Sequence, residues 1–528
     1  MVEHTAQSQA DSQFAPLKLH HLVKGAGLLF VCRLAARILG YAFNIIAAKQ
    51  IGLKEFGIYT LGLTVLRFVQ IDPLGSRSGA VVRYVSMYHA LGDQARLKGT
   101  IQFVLKNTAL LSVLTATGLF VFSDLLAMQV FHQPPLSEVL TRLAFALPFI
   151  SCSAVFLLAT VGVHIMAFRA LTKDVFEPFV LLGVFLLLVH FGMTLHACTY
   201  AYLCAAILGC AVAYYCFAKT FTPLIASPLF RQREHADIRP VCDTKAIVRF
   251  TLPLVGARIF TKLRKRADIL LLALFVPADQ IGLYTIIYKT VETLTDISAS
   301  LIGVFSPRVS ALYEQGALAA LKSQLQILSK WNFSLSFPIV LFAFFHAQSI
   351  LSVLGDEFTT GHYSFIALLF GILCEMITAP TSDLLTMAGK SQILLLNTIG
   401  AGTLNLVLFV ICIPPYGIEG ASSAVAVSLF LLSLARVVEG HKILGVHPFT
   451  WKYLKPALAA CLTLGFTLGV DQLLPTQRYW FLAGSFTTFL AGYLAALCLL
   501  GLDSEDRFIL EKMKERLCRP STSNVAAS

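Results

Sequence analysis

Charge is scarce in this sequence: only 13% of its 528 residues are Asp, Glu, Lys or Arg, about half the share found in soluble domains. With 57% of its residues hydrophobic, that scarcity excludes a chain solvated mainly by water. The twelve cysteines form no CxxC pair, and neither an HExxH motif nor a Cys/His cluster at zinc spacing occurs. Cys198, Cys204, Cys210 and Cys216 recur every six residues within one apolar run, and they are read as small packing residues rather than metal ligands. A DxD-like metal motif and a long outer catalytic loop are also missing, which argues against a membrane glycosyltransferase or polymerase. The expectation is a protein that is not an enzyme and has no cofactor.

What is present is hydrophobic length. The expected spans are 24–46, 56–78, 100–122, 139–161, 175–195, 198–219, 250–276, 281–304, 330–350, 362–380, 391–412, 417–438, 454–472 and 479–500. The first is too long for a signal h-region and carries Arg33 and Arg37, so it is retained as a span. The net charge of +12 would point to nucleic acid in a soluble protein, but here the cations sit in alternate loops, and no nucleic-acid partner is expected. Arg83, Arg96 and Lys98, then Arg169 and Lys173, then Arg231 to Lys245, and later the tail from Arg507 to Arg519 mark the cytoplasmic side. Loops 123–138 and 347–362 hold acids but no Lys or Arg, as the positive-inside rule requires of outer loops. Both termini are therefore expected on the cytoplasmic side, which requires an even number of spans.

An internal repeat divides the chain. KEFGIYTLG from Lys54 matches DQIGLYTII from Asp279, so Gly57 falls on Gly282, Tyr59 on Tyr284 and Thr60 on Thr285 at an offset of 282 − 57 = 225. The same offset puts Arg83 on Arg308, Tyr88 on Tyr313 and Gly192 on Gly417. Many transporters are built from such copies. The fold class read from these features is all-α and polytopic: about fourteen transmembrane helices, arranged as two pseudo-symmetric six-helix lobes plus two C-terminal helices. The expected boundaries are a segment 1–23, an N-lobe 24–225, a linker 226–249, a C-lobe 250–440, two final helices within 441–502, and a tail 503–528.

Ionisable side chains at bilayer depth are costly, so those present should face a water-filled cavity or a partner. Arg33 and Arg37 share a helical face. Adding 225 gives Arg258 and Lys262, again basic, and Arg266 extends that row by four while Lys265 lies near it. Two symmetric cationic stripes suit an anionic ligand, and guanidinium suits phosphate because its planar donors bind two oxygens at once. The alternative is that these residues sit at an interface or pair with Glu292, Asp296 or Glu375. Arg67 occupies the position equivalent to Glu292, so the copies differ in charge there. Asp72-Pro73-Leu74-Gly75 reads either as an unwound turn or as a plain proline kink. Asp268, Glu292 and Glu375 are the candidate coupling acids.

Three segments carry a family resemblance. FGIYTLGLT from Phe56, followed by RYVSMYHALGDQARLKG from Arg83, is one; FSPRVSALYEQG from Phe305 is the second. The third is MAGKSQILLLNTIGAGTLNLVLFVICIPPYGIEGASSA from Met387, with Asn397, Asn405 and a Pro-Tyr-Gly turn. Together they resemble the polysaccharide-transporter branch of the multidrug/oligosaccharidyl-lipid/polysaccharide exporter superfamily, which includes Wzx-type O-antigen flippases. The resemblance implies alternating access by two lobes that moves a polyprenyl-pyrophosphate-linked oligosaccharide outward. It implies that Arg33, Arg37 and Arg258 line a cationic cavity, with Lys262 departing from the expected arginine, and that the last two helices hold a lipid groove. Implied partners are the lipid-linked oligosaccharide, membrane lipids, and polysaccharide polymerase and ligase machinery. Coupling would be to a Na+ or H+ gradient or to the membrane potential. The alternatives are a lipid II flippase and a multidrug or cation antiporter of the same superfamily, the latter disfavoured because cationic cargo calls for acids.

Overall fold

The computed structural model describes residues 19–70, 80–226, 244, 247–249, 251, 267–388, 391–445, 447–471 and 478–501. Helices, turns and connecting coil make up this set, with no strand among the described residues. The chain divides into two compact units, residues 1–286 and 287–528.

In the first unit, α1 (Leu19–Ile51) and α2 (Leu53–Val69) are joined through Gly52, whose φ of 82° suits a residue without Cβ. An amphipathic helix, α3 (Ala80–Ala90), follows and is joined to α4 (Gln94–Val121) by a tight turn. Gly92 there has φ 66°, and Asp93 caps α4 by accepting a hydrogen bond from the Arg96 amide at 2.9 Å. The Gly-Asp pair of the family-like segment is thus a turn and a helix cap. Pro135, at the first turn where a missing amide costs nothing, opens α5 (Pro135–Ala144), which leads into α6 (Ala146–Gly162). After a turn at His164, α7 combines a helical turn (Ala167–Ala170), a π-helical stretch (Leu171–Phe176) and an α-helix (Glu177–His190). Gly192, φ 82°, turns the chain into α8 (Leu195–Ala226), which packs on α6 and α7.

The second unit opens within α9 (Ala278–Glu292), followed by α10 (Thr295–Glu314) and α11 (Leu318–Phe345). A short α12 (Ala347–Leu354) and a 3-10 turn at Asp356–Gly361 precede α13 (His362–Met387). Next comes α14 (Ser391–Leu444), a helical stretch broken at Gly417 (φ 54°), just after Pro414 and Pro415. Its two arms bond to each other, Asn397 to Glu439 at 2.5 Å and the Ser428 hydroxyl to the Ala401 carbonyl at 3.1 Å. α15 (Leu454–Asp471) and α16 (Arg478–Leu499) complete the unit, α15 lying on α11. His346 Nε2 meets the Asp471 carboxylate at 3.0 Å, and the Ser485 hydroxyl donates to the same carboxylate at 2.6 Å, so one buried cluster ties α15 and α16 to the end of α11.

Among the described residues nine segments are long and apolar enough to cross a membrane, and one of them, Gln392–Ile443, contains the Gly417 break. The expected span 175–195 begins late: the helical run starts at Ala167, so Arg169 and Lys173 lie on α7 rather than in a loop. Their charge masks the apolar pattern there. The expected span 281–304 is interrupted by a turn at Thr293 and Leu294. The expected span 250–276 lies mostly outside the described residues, as does Asp72-Pro73-Leu74-Gly75.

The repeat is visible in local geometry. Gly57 and Gly282, equivalent at the 225 offset, approach so closely that a Cβ on Gly57 would overlap the Ala278 carbonyl and one on Gly282 the Leu53 carbonyl. Gly192 and Gly417 both take the positive φ that a chain reversal demands. Asp268 and Tyr284 form a buried hydrogen bond of 3.1 Å; subtracting 225 gives Phe43 and Tyr59, whose rings also meet, with centroids 6.2 Å apart.

Candidate functional site

Four helix ends of the first unit meet the turns at Gly52 and Gly192: the C-termini of α1 and α7, and the N-termini of α2 and α8. Depth measured from those ends at about 1.5 Å per residue places Arg37, Arg67 and Gly209 each ~21 Å down, since each lies fourteen residues from its helix end. Glu177 comes to ~20 Å, Asp174 to ~24 Å and Arg33 to ~27 Å on the same measure. Contacts agree with this layering. A Cβ on Gly209 would collide with the Glu177 carboxylate, so α8 passes directly beside it. Lys173 Nζ donates to Glu177 Oε1 at 2.6 Å, and Asp174 lies within electrostatic reach of Arg169 and Arg33.

Arg33 and Arg37 are exposed on one face of α1, one turn apart. Arg67 is exposed in the last turn of α2, where a cation also complements the helix dipole. The π-helical stretch of α7 widens the turn that carries Lys173 and Asp174; such turns recur at functional sites. At this level, among the described residues, Arg33, Arg37, Arg67 and Lys173 outnumber Asp174 and Glu177, with Arg169 deeper at ~32 Å.

Arg258, Lys262 and Arg266 lie outside the described residues. Asp268 is buried, its carboxylate accepting from the Tyr284 hydroxyl and from the Ile269 amide at 2.8 Å. Glu292 stands at the C-terminus of α9 beside the break, and Glu375 lies half-buried within α13. Sequence reasoning missed Lys173, Asp174 and Glu177 as site residues, assigning Lys173 to a loop and starting the span at 175. It also missed Lys330, Asn332 and Ser336, buried polar groups on α11. Asn332 donates to the Met376 carbonyl, which brings that polar face to the level of Glu375. Two lysines inside apolar runs were the available signal. Among the described residues no group of three His, Cys, Asp or Glu side chains could hold a metal ion.

The family model described as "Polysaccharide biosynthesis protein" matches residues 22–313, more than half of the chain. The chain belongs to this family. Among solved structures, this family member resembles the lipid II flippase MurJ in an inward closed conformation, with a TM-score of 0.71 at 15% identity over 90% of this chain and 98% of that one. It also resembles a multidrug resistance MATE family transporter of the MOP superfamily in an inward-facing conformation (TM-score 0.58, 14% identity, 79% of this chain and 98% of that one). A further match is a MOP superfamily transporter from Pyrococcus furiosus, described as having a binding pocket of reverse polarity (TM-score 0.54, 13% identity, 79% and 95%). At these identities the likeness establishes the fold. A search of curated proteins returns no significant match. The chain is thus a multi-pass membrane protein of the polysaccharide biosynthesis family with the fold of MOP transporters, as its sequence led one to expect in place of an enzyme.

Proposed function

We propose that this family member is a flippase that carries a polyprenyl-pyrophosphate-linked oligosaccharide from the cytoplasmic to the outer face of a bacterial cytoplasmic membrane. The observation that carries the reading is the cation-rich layer of α1, α2 and α7, set ~21 to 27 Å below the helix ends by the rise per residue. Pyrophosphate is the part of the cargo that this layer recognises, through charge-assisted hydrogen bonds worth about 1.5–3 kcal/mol each. Arg258, Lys262 and Arg266 supply the second half of the same site at the positions the repeat dictates. Asp174 and Glu177 are resident counter-ions that hold Arg33 and Lys173 while cargo is absent.

Fourteen crossings with both termini inside complete the proposal. They consist of the nine detected segments, with Gln392–Ile443 counted twice, together with α2, α7, the stretch around 250–276, and α9 with α10. Alternating access moves the site between faces, coupled to an ion gradient through one or more of Asp268, Glu292 and Glu375 or to the membrane potential. Polysaccharide polymerase and ligase machinery would take up the product. A cation antiporter fits poorly because α1 presents two arginines where cationic cargo calls for acids.

A second reading, a peptidoglycan-precursor flippase, is favoured by the likeness to MurJ over nearly the full length of both chains. The two share pyrophosphate recognition and differ in glycan. The test is native mass spectrometry of the purified protein with polyprenyl pyrophosphate, with polyprenyl alcohol, and with lipid II. Retention of the pyrophosphate and loss of the alcohol is the expected result; equal retention of both would overturn phosphate recognition, and selective retention of lipid II would establish the second reading.

A further inference from the structure

A cavity of about 280 Å³ lies in the first unit between α3, the first turns of α4 and the last turns of α8. Its floor is Leu97, Ile101 and Phe221, all part of the buried core beneath α3. Tyr88 and Phe217 wall it, and Phe217 and Phe221 stack at 4.6 Å. His89, Gln94, Lys98, Gln102 and Thr222 add polar side chains to the lining.

Two placements define what this cavity meets. First, it lies where the apolar segments Gln94–Val121 and Leu195–Thr222 end, which is where lipid headgroups begin. Arg83, Arg96, Lys98, Lys106 and Lys219 are all exposed at this end. The nearby acid, Asp93, is committed to capping α4 and to an ion pair with Arg96 at 3.5 Å. Secondly, the α8 residues that line it, Tyr214 to Thr222, lie 19 to 27 residues beyond Leu195, about 29 to 41 Å down on the measure used above and so deeper than Arg33. None of the residues of the layer described above lines the cavity, so it is a separate place and does not depend on the function proposed for that layer.

The lining also selects a chemistry. Its exposed surface is mostly carbon and aromatic face, which suits a hydrocarbon chain better than a sugar. Its volume, near the lower limit for small-molecule pockets, holds part of one chain rather than a whole lipid. The basic rim at headgroup depth complements a phosphate that remains outside. We propose that this cavity binds one acyl chain of an anionic phospholipid of the surrounding leaflet, with the headgroup phosphate held by Lys98 and His89. A lipid seated there would pin α3 against α4 and α8 at the membrane boundary.

The experiment uses the full chain in nanodiscs with two photoactivatable probes of identical diazirine-bearing tails, a phosphatidylglycerol and a phosphatidylcholine, followed by peptide mapping. Label is expected within 88–105 and 214–222, about five-fold stronger for phosphatidylglycerol, the ratio expected for one lysine at a membrane surface. Ala218→Trp should fill the cavity and remove the label. Lys98→Glu, on the exposed rim, should keep chain labelling and abolish the preference for phosphatidylglycerol, so the test survives if the tryptophan variant fails to fold. Equal labelling by both probes would reduce the site to ordinary lipid contact and overturn the proposal. So would displacement of phosphatidylglycerol by a polyprenyl phosphate, or cross-linking of the cavity to residues 227–243 of the chain itself.

Discussion

Lys173 and Glu177 hold each other at 2.6 Å with side chains 25% and 22% exposed, one turn apart on α7. Removing one partner leaves the other charged in a poorly hydrated place. Lys173→Met should therefore cost about 1–3 kcal/mol, less than for a fully buried pair because both groups keep some solvent contact. The Lys173→Met/Glu177→Leu double variant should recover much of that loss. Thermal unfolding in detergent checks this, and strictly additive losses would mean that the two residues do not stabilise each other. Gly57 makes a different kind of prediction, because a methyl group there would run into backbone, the Ala278 carbonyl and the Gly282 nitrogen. Gly57→Ala should destabilise by about 1–3 kcal/mol or more through forced displacement of backbone, whereas Gly118→Ala, in open space on α4, should not. Similar melting temperatures for both variants would show that the close approach is not required.

At the scale of the element, the attachment of α15 and α16 rests on His346, Asp471 and Ser485, which join three helices through one carboxylate. Asp471→Ala should raise hydrogen exchange in α16 while leaving α13 protected; unchanged exchange in both would assign the attachment to apolar packing around Phe342 and Phe489 instead. Helices of this kind were legible in the sequence because a bilayer imposes length and apolarity on every crossing. The repeat was legible too, since glycines at close contacts and reversals admit no substitute, as Gly57, Gly282, Gly192 and Gly417 show. What hydropathy could not give was the start of α7, where Lys173 and Glu177 neutralise each other inside an apolar helix and so read as a loop. Nor could it show that Gly92 and Asp93 form a turn and a cap, since a motif does not declare whether it binds or folds. The polar face of α11 was hidden as well, since its lysine and asparagine are buried and Asn332 is bonded to the Met376 carbonyl of α13.

For the whole molecule, the proposed orientation puts both termini and the linker 226–249 on one side and the loop around Asp356 on the other. Alkaline phosphatase fusions should be active at Asp356 and inactive at Glu234; the reverse pattern would invert the molecule and with it the direction of transport. The central claim is that cations carried by the first helix of each repeat bind the pyrophosphate of a lipid-linked glycan and that transport depends on them. It is tested most directly with the purified protein in proteoliposomes, following translocation of a fluorescent polyprenyl-pyrophosphate-linked oligosaccharide by its exposure to a membrane-impermeant quencher. The Arg33→Ala/Arg258→Ala variant should lose translocation, while Arg33→Lys/Arg258→Lys should retain part of it, keeping charge but losing two-point binding. Unchanged translocation by a fully folded alanine double variant would contradict the account.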